Sequence, residues 1–358
     1  MANNVPPSTG TLIRAAIVGY GLSGRVFHSP FLESDSNFEL AAIVTGDDAR
    51  RAQASGEHRN ARIYQSFEEL ESSGESFDLI VLAGPPDTHR ELALKALAMG
   101  AAVIVDKPFV ASTEDAQLLI DAATVAGRPL MVFHNRRWDG DFVTIQSLIR
   151  SGRLGDVFHF ESNFEHWSPT TTPGWKDQLP ASRAGGVAWD LGSHLVDQAL
   201  VLFGPTASVT SRLRTVREGG GNDDHAEIHI VHESGVVSRL LMSRLSDGHG
   251  PRFRLLGTRG SFISFGLDPQ EPALDAGALP TDEGFGTVSP QNYGTLTEHT
   301  AGGSITSQIP TEPGDYAEFY RRVAAAVRGT GPEPVRPEEA LDVVAVLELA
   351  TRTPTNAN

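Results

Sequence analysis

The feature that most constrains the fold is a glycine-rich turn near the N-terminus. The apolar run Ala15–Val18 leads directly into Gly19-Tyr20-Gly21-Leu22-Ser23-Gly24, which has the spacing G-x-G-x-x-G. In this pattern the first glycine permits a tight turn, the second lets the backbone approach a pyrophosphate, and the third lets a helix pack closely on the strand. The pyrophosphate would bind free N–H groups at the helix N-terminus. We therefore predict that residues 19–24 bind a dinucleotide.

The segment up to Phe133 alternates short apolar runs with segments of helical length. The further predicted strands are Leu40–Val44, Leu79–Ala83, Ala101–Val105 and Leu130–Phe133. Runs that are apolar on both faces are typical of a parallel sheet that helices cover on both sides. Thr88 and Ser112 are predicted to cap the N-termini of two of these helices. We predict an α/β Rossmann domain over residues 1–133.

After residue 133 the predicted strands become longer and lie closer together in the sequence. They are 156–164, 224–232, 236–244, 252–256 and 261–265, with helices at 142–151, 186–203, 315–328 and 337–353. Turns that contain glycine between such strands favour antiparallel pairing. Residues 266–313 are rich in Gly, Pro, Thr and Asp, and we predict a long excursion over the surface. Residues 134–358 are thus expected to form a second α/β domain with a large, mainly antiparallel open sheet.

Length, charge and composition exclude several classes of protein. A chain of 358 residues is too long for one hydrophobic core. The net charge of −16 argues against nucleic-acid and anionic-membrane partners. The absence of cysteine excludes disulfides, thiolate metal sites and a Cys nucleophile, and it fits a reducing compartment. The N-terminal residues do not resemble a signal peptide, and no apolar run is long enough to span a bilayer. We expect a cytoplasmic protein with a small-molecule substrate.

The end of the second strand is expected to select the cofactor. Thr45 is neutral and can donate to the 2′-phosphate of NADP, which Arg50 or Arg51 would neutralise. Asp47 is equally able to bind a ribose hydroxyl of NAD. Alternatively, Asp47 only favours the N-terminus of a helix through the helix dipole. These residues leave NADP and NAD open.

Two segments carry candidate catalytic residues. Lys107, in Asp106-Lys107-Pro108, follows the strand Ala101–Val105, and open α/β sheets bind ligands at the carboxyl ends of their strands. In the predicted helix 186–203, Asp190 lies one turn before His194, so it can orient the imidazole ring. A histidine is suited to accept an alcohol proton near neutral pH. The alternatives are a surface Asp–His pair or a zinc site, but no third zinc ligand is evident, so we predict no metal.

Together these motifs resemble the glucose–fructose oxidoreductase / inositol dehydrogenase (Gfo/Idh/MocA) family. The resemblance rests on Gly19–Gly24, Asp106-Lys107-Pro108 and Gly185–Asp197, and it extends over nearly the whole chain. Further segments are similar to the branch of NADP-dependent scyllo-inositol dehydrogenases. They are Val26-Phe27-His28, His134–Asp139 and Gly266–Pro280.

The resemblance implies hydride transfer between a nicotinamide and a ring hydroxyl of a cyclic polyol or sugar. It implies that Lys107, Asp190 and His194 are catalytic, and that the second domain forms a homodimer or homotetramer through its sheet. The further residues expected to bind the cofactor are Thr45, Pro85, His89, Asp106 and Lys107. Asn135 and Arg136, just past the last Rossmann strand, are expected to bind the substrate or the cofactor amide. Two other functions stay open: an NAD-dependent glycoside hydrolase and a non-catalytic dinucleotide sensor.

The sequence departs from the family pattern at two positions and from the branch pattern at one dipeptide. Pro86 replaces a polar residue, which removes a possible cofactor hydrogen bond. Asp106 replaces a glutamate, so its contact to the nicotinamide ribose is expected to be longer or water-mediated. Gly46-Asp47 replaces the Ser-Arg pair of the branch, which weakens the expectation of NADP.

Overall fold

The computed structural model describes residues 10–172, 174–247 and 250–352. The strands are β1 Ile13–Val18, β2 Phe38–Val44, β3 Arg62–Tyr64, β4 Leu79–Leu82, β5 Ala102–Asp106, β6 Leu130–Phe133, β7 Val157–Glu165, β8 Thr206–Arg214, β9 His225–His232, β10 Val237–Ser243, β11 Phe253–Gly257, β12 Gly260–Ser264, β13 Gly294–Thr300 and β14 Gly303–Ile309. The α-helices are α1 Ser29–Ser34, α2 Asp48–Glu57, α3 Phe67–Ser72, α4 Pro86–Ala98, α5 Thr113–Ala126, α6 Gly140–Ser151, α7 Trp175–Gln178, α8 Val187–Asp190, α9 Gly192–Phe203, α10 Gln270–Asp275, α11 Tyr316–Val327 and α12 Pro337–Arg352. None of the described helices is long and apolar enough to cross a bilayer.

The described residues divide into two compact units. The first lies within Met1–Asn135, Gln270–Phe285 and Asp315–Leu341, and the second within Arg136–Pro269, Gly286–Gly314 and Asp342–Asn358. The first boundary is two residues from the predicted one, but two later segments return to the first unit. Aromatic packing accounts for one of them, because Tyr320 of α11 stacks on Phe31 at 5.0 Å.

The first unit contains a six-stranded sheet in the order β3-β2-β1-β4-β5-β6, and all its pairs are parallel. The predicted doubly wound Rossmann fold is therefore confirmed. β4 and β5 are buried along their whole length, as both faces of a covered parallel sheet must be. β3 was not predicted, because three partly exposed residues carry little apolar signal.

Of the two helix caps predicted in the first unit, one is confirmed and one is wrong. The Ser112 side chain accepts a hydrogen bond from the Asp115 N–H and caps α5, as predicted. The predicted cap at Thr88 is wrong, since α4 already begins at Pro86. The Thr88 hydroxyl donates to the Pro85 carbonyl instead, and proline is well suited to the first turn of a helix.

The second unit contains an eight-stranded sheet in the order β14-β13-β12-β11-β7-β10-β9-β8. Every neighbouring pair is antiparallel except β7 with β10, so the mainly antiparallel sheet is confirmed. The predicted surface excursion over residues 266–313 is wrong in part, because it contains α10, β13 and β14. β14 is an exposed edge strand rich in polar residues, so its sequence lacks the apolar alternation that signals a strand.

Candidate active site

The three glycines of the turn after β1 differ in what surrounds them. Gly19 has φ +102°, and a Cβ there would lie 2.7 Å from the Ala83 carbonyl oxygen. A Cβ on Gly24 would overlap the Gly19 carbonyl, so the helical turn that follows packs directly on the strand. A Cβ on Gly21 would meet no atom closer than Nη1 of Arg50, at 3.7 Å. The turn therefore leaves open the one position where a pyrophosphate must approach the backbone, and these residues fit a dinucleotide.

The residues between these glycines point in different directions. Leu22 is exposed, whereas Tyr20 is buried and its hydroxyl binds the side chains of Glu57 and His58. Burial, together with the hydrogen bond and negative charge of Glu57, raises the pKa of Tyr20 well above its ordinary value. The Tyr20 side chain is thus engaged at the end of α2, which leaves its backbone as the group available to a cofactor.

Asp106, at the end of β5, lies in a closed network within the first unit. His28 Nε2 donates to Asp106 Oδ1 at 2.8 Å, and His28 Nδ1 lies 2.8 Å from the Tyr320 hydroxyl. Burial raises the pKa of Asp106, but the charge and hydrogen bond of His28 and a hydrogen bond from Ser23 outweigh it and hold the pKa below its usual value. The predicted ribose contact of Asp106 would have to share this carboxylate.

Lys107 is partly exposed, and a buried histidine supports the segment that carries it. His89 Nδ1 lies 3.1 and 3.0 Å from the carbonyl oxygens of Pro108 and Phe109, and Nε2 lies 3.0 Å from that of Gly84. His89 therefore ties α4 to the turn after Lys107. Pro85, which was predicted beside it, is the exposed N-cap residue of α4.

The two arginines near the end of β2 have different surroundings. The Arg51 guanidinium donates to the Gly46 carbonyl at 3.0 Å and to that of Thr45 at 3.4 Å, and it pairs with Asp48. The Asp47 carboxylate accepts a hydrogen bond from the Arg50 N–H and caps α2. The Arg50 side chain is exposed beside Gly21 and forms no hydrogen bond within the described residues. Arg50 is therefore the arginine available to a ligand.

In the second unit the predicted helix 186–203 is divided into α8 and α9, which meet at Leu191. Asp190 is the last residue of α8, and His194 lies in the first turn of α9. Packing within the protein explains the pair Gly185-Gly186 before α8. A Cβ on Gly186 would overlap the Asp223 carboxylate. That carboxylate accepts a hydrogen bond from the Ala188 N–H at 2.8 Å, so the pair serves the start of the helix.

Asp190 is buried between two basic side chains that sequence reasoning missed. Arg244 Nη2 donates to Asp190 Oδ2 at 2.6 Å, and Lys176 Nζ lies 3.3 Å from the same oxygen. Near them, burial and the charge of Arg244 lower the pKa of His166, so its imidazole is neutral at pH 7. Arg244 directly follows β10, and a charge at the end of an apolar strand was the available signal. The sequence around Lys176 offered none.

His194 and Arg136 both lie near the ring of Phe164. The His194 ring lies nearly parallel to the Phe164 ring, with centroids 6.4 Å apart and an interplanar angle of 21°. The Arg136 guanidinium carbon lies 4.7 Å from the centroid of the Phe164 ring, a cation–π geometry. The structure thus brings two predicted site residues of the second unit to one side chain. Asn135, predicted with Arg136, is buried and belongs to the first unit.

Two family models match the chain in succession. One is described as an oxidoreductase family, NAD-binding Rossmann fold, and matches residues 13–134. The other is described as an oxidoreductase family, C-terminal alpha/beta domain, and matches residues 146–356. The chain belongs to the Gfo/Idh/MocA oxidoreductase family. It is therefore a dehydrogenase-type enzyme with an NAD(P)-binding Rossmann domain.

Relatives of this oxidoreductase match over most of its length. The scyllo-inositol 2-dehydrogenase (NADP(+)) IolW of Bacillus subtilis strain 168 is 33% identical over 94% of this chain and 92% of its own. A D-apiose dehydrogenase of Paraburkholderia graminis is 28% identical over 66% of this chain and 63% of its own. The structure of the oxidoreductase yvaA from Bacillus subtilis has a TM-score of 0.88 at 32% identity, covering 96% of this chain and 97% of that one.

Among residues 10–172, 174–247 and 250–352, no group of three or more His, Asp or Glu side chains is placed to hold a metal ion. An imidazole, an ammonium and a carboxylate can instead accept, donate and stabilise charge at an alcohol oxygen.

Proposed function

We propose that this oxidoreductase transfers a hydride between a ring hydroxyl of a cyclic polyol or sugar and the nicotinamide of NAD(P). The observation that carries the proposal is the pair of residues at the junction of α8 and α9. There Asp190 is fixed by Arg244, and His194 lies on Phe164. Relatives named for scyllo-inositol and D-apiose support the choice of substrate class.

Two side chains act on the substrate in this proposal, and a third supports one of them. The bound nicotinamide supplies the hydride acceptor. His194 takes the proton of the reacting hydroxyl, and Lys107 donates a hydrogen bond to the same oxygen and stabilises the developing alkoxide. Asp190 stabilises positive charge that develops on His194, while Arg244 keeps its carboxylate in place.

NADP is the cofactor we propose. Arg50 is exposed next to the open glycine of the phosphate turn, and its side chain forms no hydrogen bond within the described residues, so it can pair with a 2′-phosphate. Asp47, the competing candidate for a ribose hydroxyl of NAD, accepts the hydrogen bond that caps α2. The printed name of IolW includes NADP(+), which supports the same choice.

Self-association through the sheet of the second unit is also part of the proposal. The odd-numbered side chains of β7, such as His159 and Glu161, lie on the less buried face of that strand and alternate with the buried Phe160 and Ser162. A homodimer or homotetramer would cover this face, and sedimentation equilibrium of the full chain would measure it.

The test of the reaction is single-turnover hydride transfer, followed at the nicotinamide absorbance band. Inositol isomers and aldoses are first screened with NADP and NAD, and the best pair is then used with Lys107→Met, His194→Ala and the double variant. Each single variant is expected to slow transfer roughly 10²–10⁴-fold. The double variant is expected to lose far less than the product of the two effects, because groups that act as a unit are not additive.

Two matched controls accompany this test. Lys95→Met removes a lysine that pairs with Glu68 and Glu91 on the surface, and His229→Ala removes an exposed histidine of β9. Both are expected to keep the wild-type rate. Rates near wild type in Lys107→Met or His194→Ala would show that the residue is structural. Release of a cleaved sugar without net formation of NAD(P)H would favour the hydrolase instead.

A further inference from the structure

A cleft of about 280 Å³ opens in the second unit, and none of the residues assigned to hydride transfer lines it. It lies between the first turn of α6, the loop after β12 and the loop that precedes β13. Its lining includes Asp141, Ser264, Phe265, Leu267, Ser289 and Asn292. The volume lies just below the range of pockets for drug-sized ligands, so it suits a molecule with about the bulk of one ring.

Two buried polar atoms that form no hydrogen bond in the described part of the chain belong to residues that line this cleft, although one of them, Asp141 Oδ2, has Arg252 Nε 3.6 Å away as an ionic partner. Asp141 Oδ2 and Ser264 Oγ form no hydrogen bond within the described residues. Ser264 is only 7% exposed, so bulk water has little access to form a hydrogen bond with its hydroxyl. A buried polar group without a partner typically costs about 1–3 kcal/mol, so each such group calls for an explanation. A ligand that brings hydroxyl groups into the cleft would supply the missing partners.

The Asp141 carboxyl mostly accepts hydrogen bonds at pH 7 and becomes able to donate one as the pH falls towards 6. Burial raises the pKa of Asp141 to about 6, and the negative charge of Asp139 adds to this effect. The positive charges of Arg252, whose Nε lies 3.6 Å away, and of Arg136 oppose it. Such a carboxyl is suited to neutral hydroxyl groups, which themselves both donate and accept.

The other lining residues combine apolar contact with hydrogen-bonding capacity. Phe265 is 55% exposed and Leu267 is 44% exposed, although large apolar side chains are normally covered. Ser289 and Asn292 are exposed and add a hydroxyl and an amide. A ring with an apolar C–H face and a border of hydroxyls matches both kinds of surface.

We propose that this cleft binds one polyhydroxylated ring, a sugar or a cyclitol, with hydroxyls directed at Asp141 and Ser264 and its C–H face against Phe265. Two sources of such a ring share this chemistry. One is a second ring of a larger substrate, and the other is a separate sugar molecule. The binding site itself does not depend on hydride transfer.

The experiment measures binding of D-glucose and myo-inositol to the full chain by calorimetry, with hydrogen exchange to locate the ligand. Slower exchange is expected over residues 264–269 and 287–292. Ser264→Val and Phe265→Ala are expected to weaken this binding at least tenfold, and His194→Ala is expected to retain it. Phe158→Ala is the matched control, since Phe158 is similarly exposed in the same unit and does not line the cleft.

Two further measurements separate the sources of the ring. If the cleft holds part of a larger substrate, Phe265→Ala raises KM for a disaccharide and leaves KM for a monosaccharide unchanged. If it holds a separate molecule, Phe265→Ala changes neither KM. Absence of protection in both segments, or equal affinity in wild type, Ser264→Val and Phe265→Ala, overturns the proposal. These results are independent of turnover, so a wild-type protein inactive on every polyol would contradict the proposed reaction alone.

Discussion

Asp106 in the first unit and Asp190 in the second are both buried acids beside candidate catalytic residues, yet their surroundings differ. Asp106 is bound by His28, whose side chain is fully buried and whose other ring nitrogen faces Tyr320. Asp190 is bound by Arg244 and by Lys176, and the Lys176 side chain is 45% exposed. Both carboxylates are buried, but the His28 partner of Asp106 is fully enclosed, while the Lys176 partner of Asp190 can be reached by solvent or a ligand.

This difference separates polar groups that stabilise a domain from those that are available to a ligand. A buried ion pair whose partners are both enclosed resists separation, because removing one partner leaves the other charge unpaired in a medium of low dielectric constant. An exposed lysine is held weakly by its ion pair, so a substrate can replace that contact at little cost. Asp190 also has an enclosed partner in Arg244, so a substitution there must keep that hydrogen bond. We expect such a substitution of Asp190 to affect mainly turnover, and a substitution of Asp106 to affect mainly stability.

The largest effect is expected from Asp190→Asn. The amide keeps the shape of the side chain and can still accept a hydrogen bond from Arg244, but it removes the negative charge that the proposed reaction uses to stabilise His194. Hydride transfer is expected to slow roughly 10²–10⁴-fold, as for the loss of other groups in proton transfer. Single-turnover absorbance measures the rate and urea unfolding the stability. A large loss of stability with a normal rate of hydride transfer would show that Asp190, like Asp106, mainly stabilises the fold.

Asp106→Asn is expected to lower the free energy of unfolding by about 1.5–3 kcal/mol, the usual contribution of a hydrogen bond to a charged group. Because the pKa of Asp106 is lowered in the folded protein, its contribution is fully present above the unfolded pKa of about 3.9. The contribution is lost as the pH falls through the lower folded pKa. The difference between wild type and variant, measured by urea unfolding, should therefore shrink as the pH falls below about 4.

Arg50 and Arg51, near the cofactor turn, differ in the same way: one side chain is available to a ligand and the other is held by the fold. Arg50→Ala is expected to raise KM for NADP about tenfold, equivalent to 1.4 kcal/mol, and to leave KM for NAD nearly unchanged. Arg51→Ala is the matched control, since its guanidinium is held by backbone carbonyls of its own loop. A wild-type enzyme that strongly prefers NAD, or equal effects of the two variants, would contradict the NADP proposal.

The smallest effect is expected from Tyr20→Phe. The substitution removes a hydroxyl that is bound to Glu57 and His58, so it should lower stability by about 0.5–1.5 kcal/mol. Cofactor affinity should not change, because only the backbone of Tyr20 is available at the turn. A fluorescence titration with NADPH measures the affinity, and a weaker Kd in the variant would place the hydroxyl in the binding site.

The sequence by itself determined the elements and turns that depend on local rules. Short apolar runs located five of the six strands of the Rossmann sheet, and the requirement for a positive φ at Gly19 follows from its place in the turn. Ser112 could be identified as a cap because its partner, Asp115, lies three residues away. Resemblance to a family then indicated Lys107, Asp190 and His194, whose roles remain predictions.

Only the tertiary structure decided which residues surround these groups. His28 is 78 residues from Asp106, and Arg244 is 54 residues from Asp190. The return of residues 270–285 and 315–341 to the first unit was likewise not evident from a local pattern. Periodicity and capping act over a few residues, whereas contacts at such separations depend on how whole sheets and helices pack. The chemistry was therefore readable from residue types, but the partners of the two carboxylates were not, including the exposed Lys176 beside Asp190.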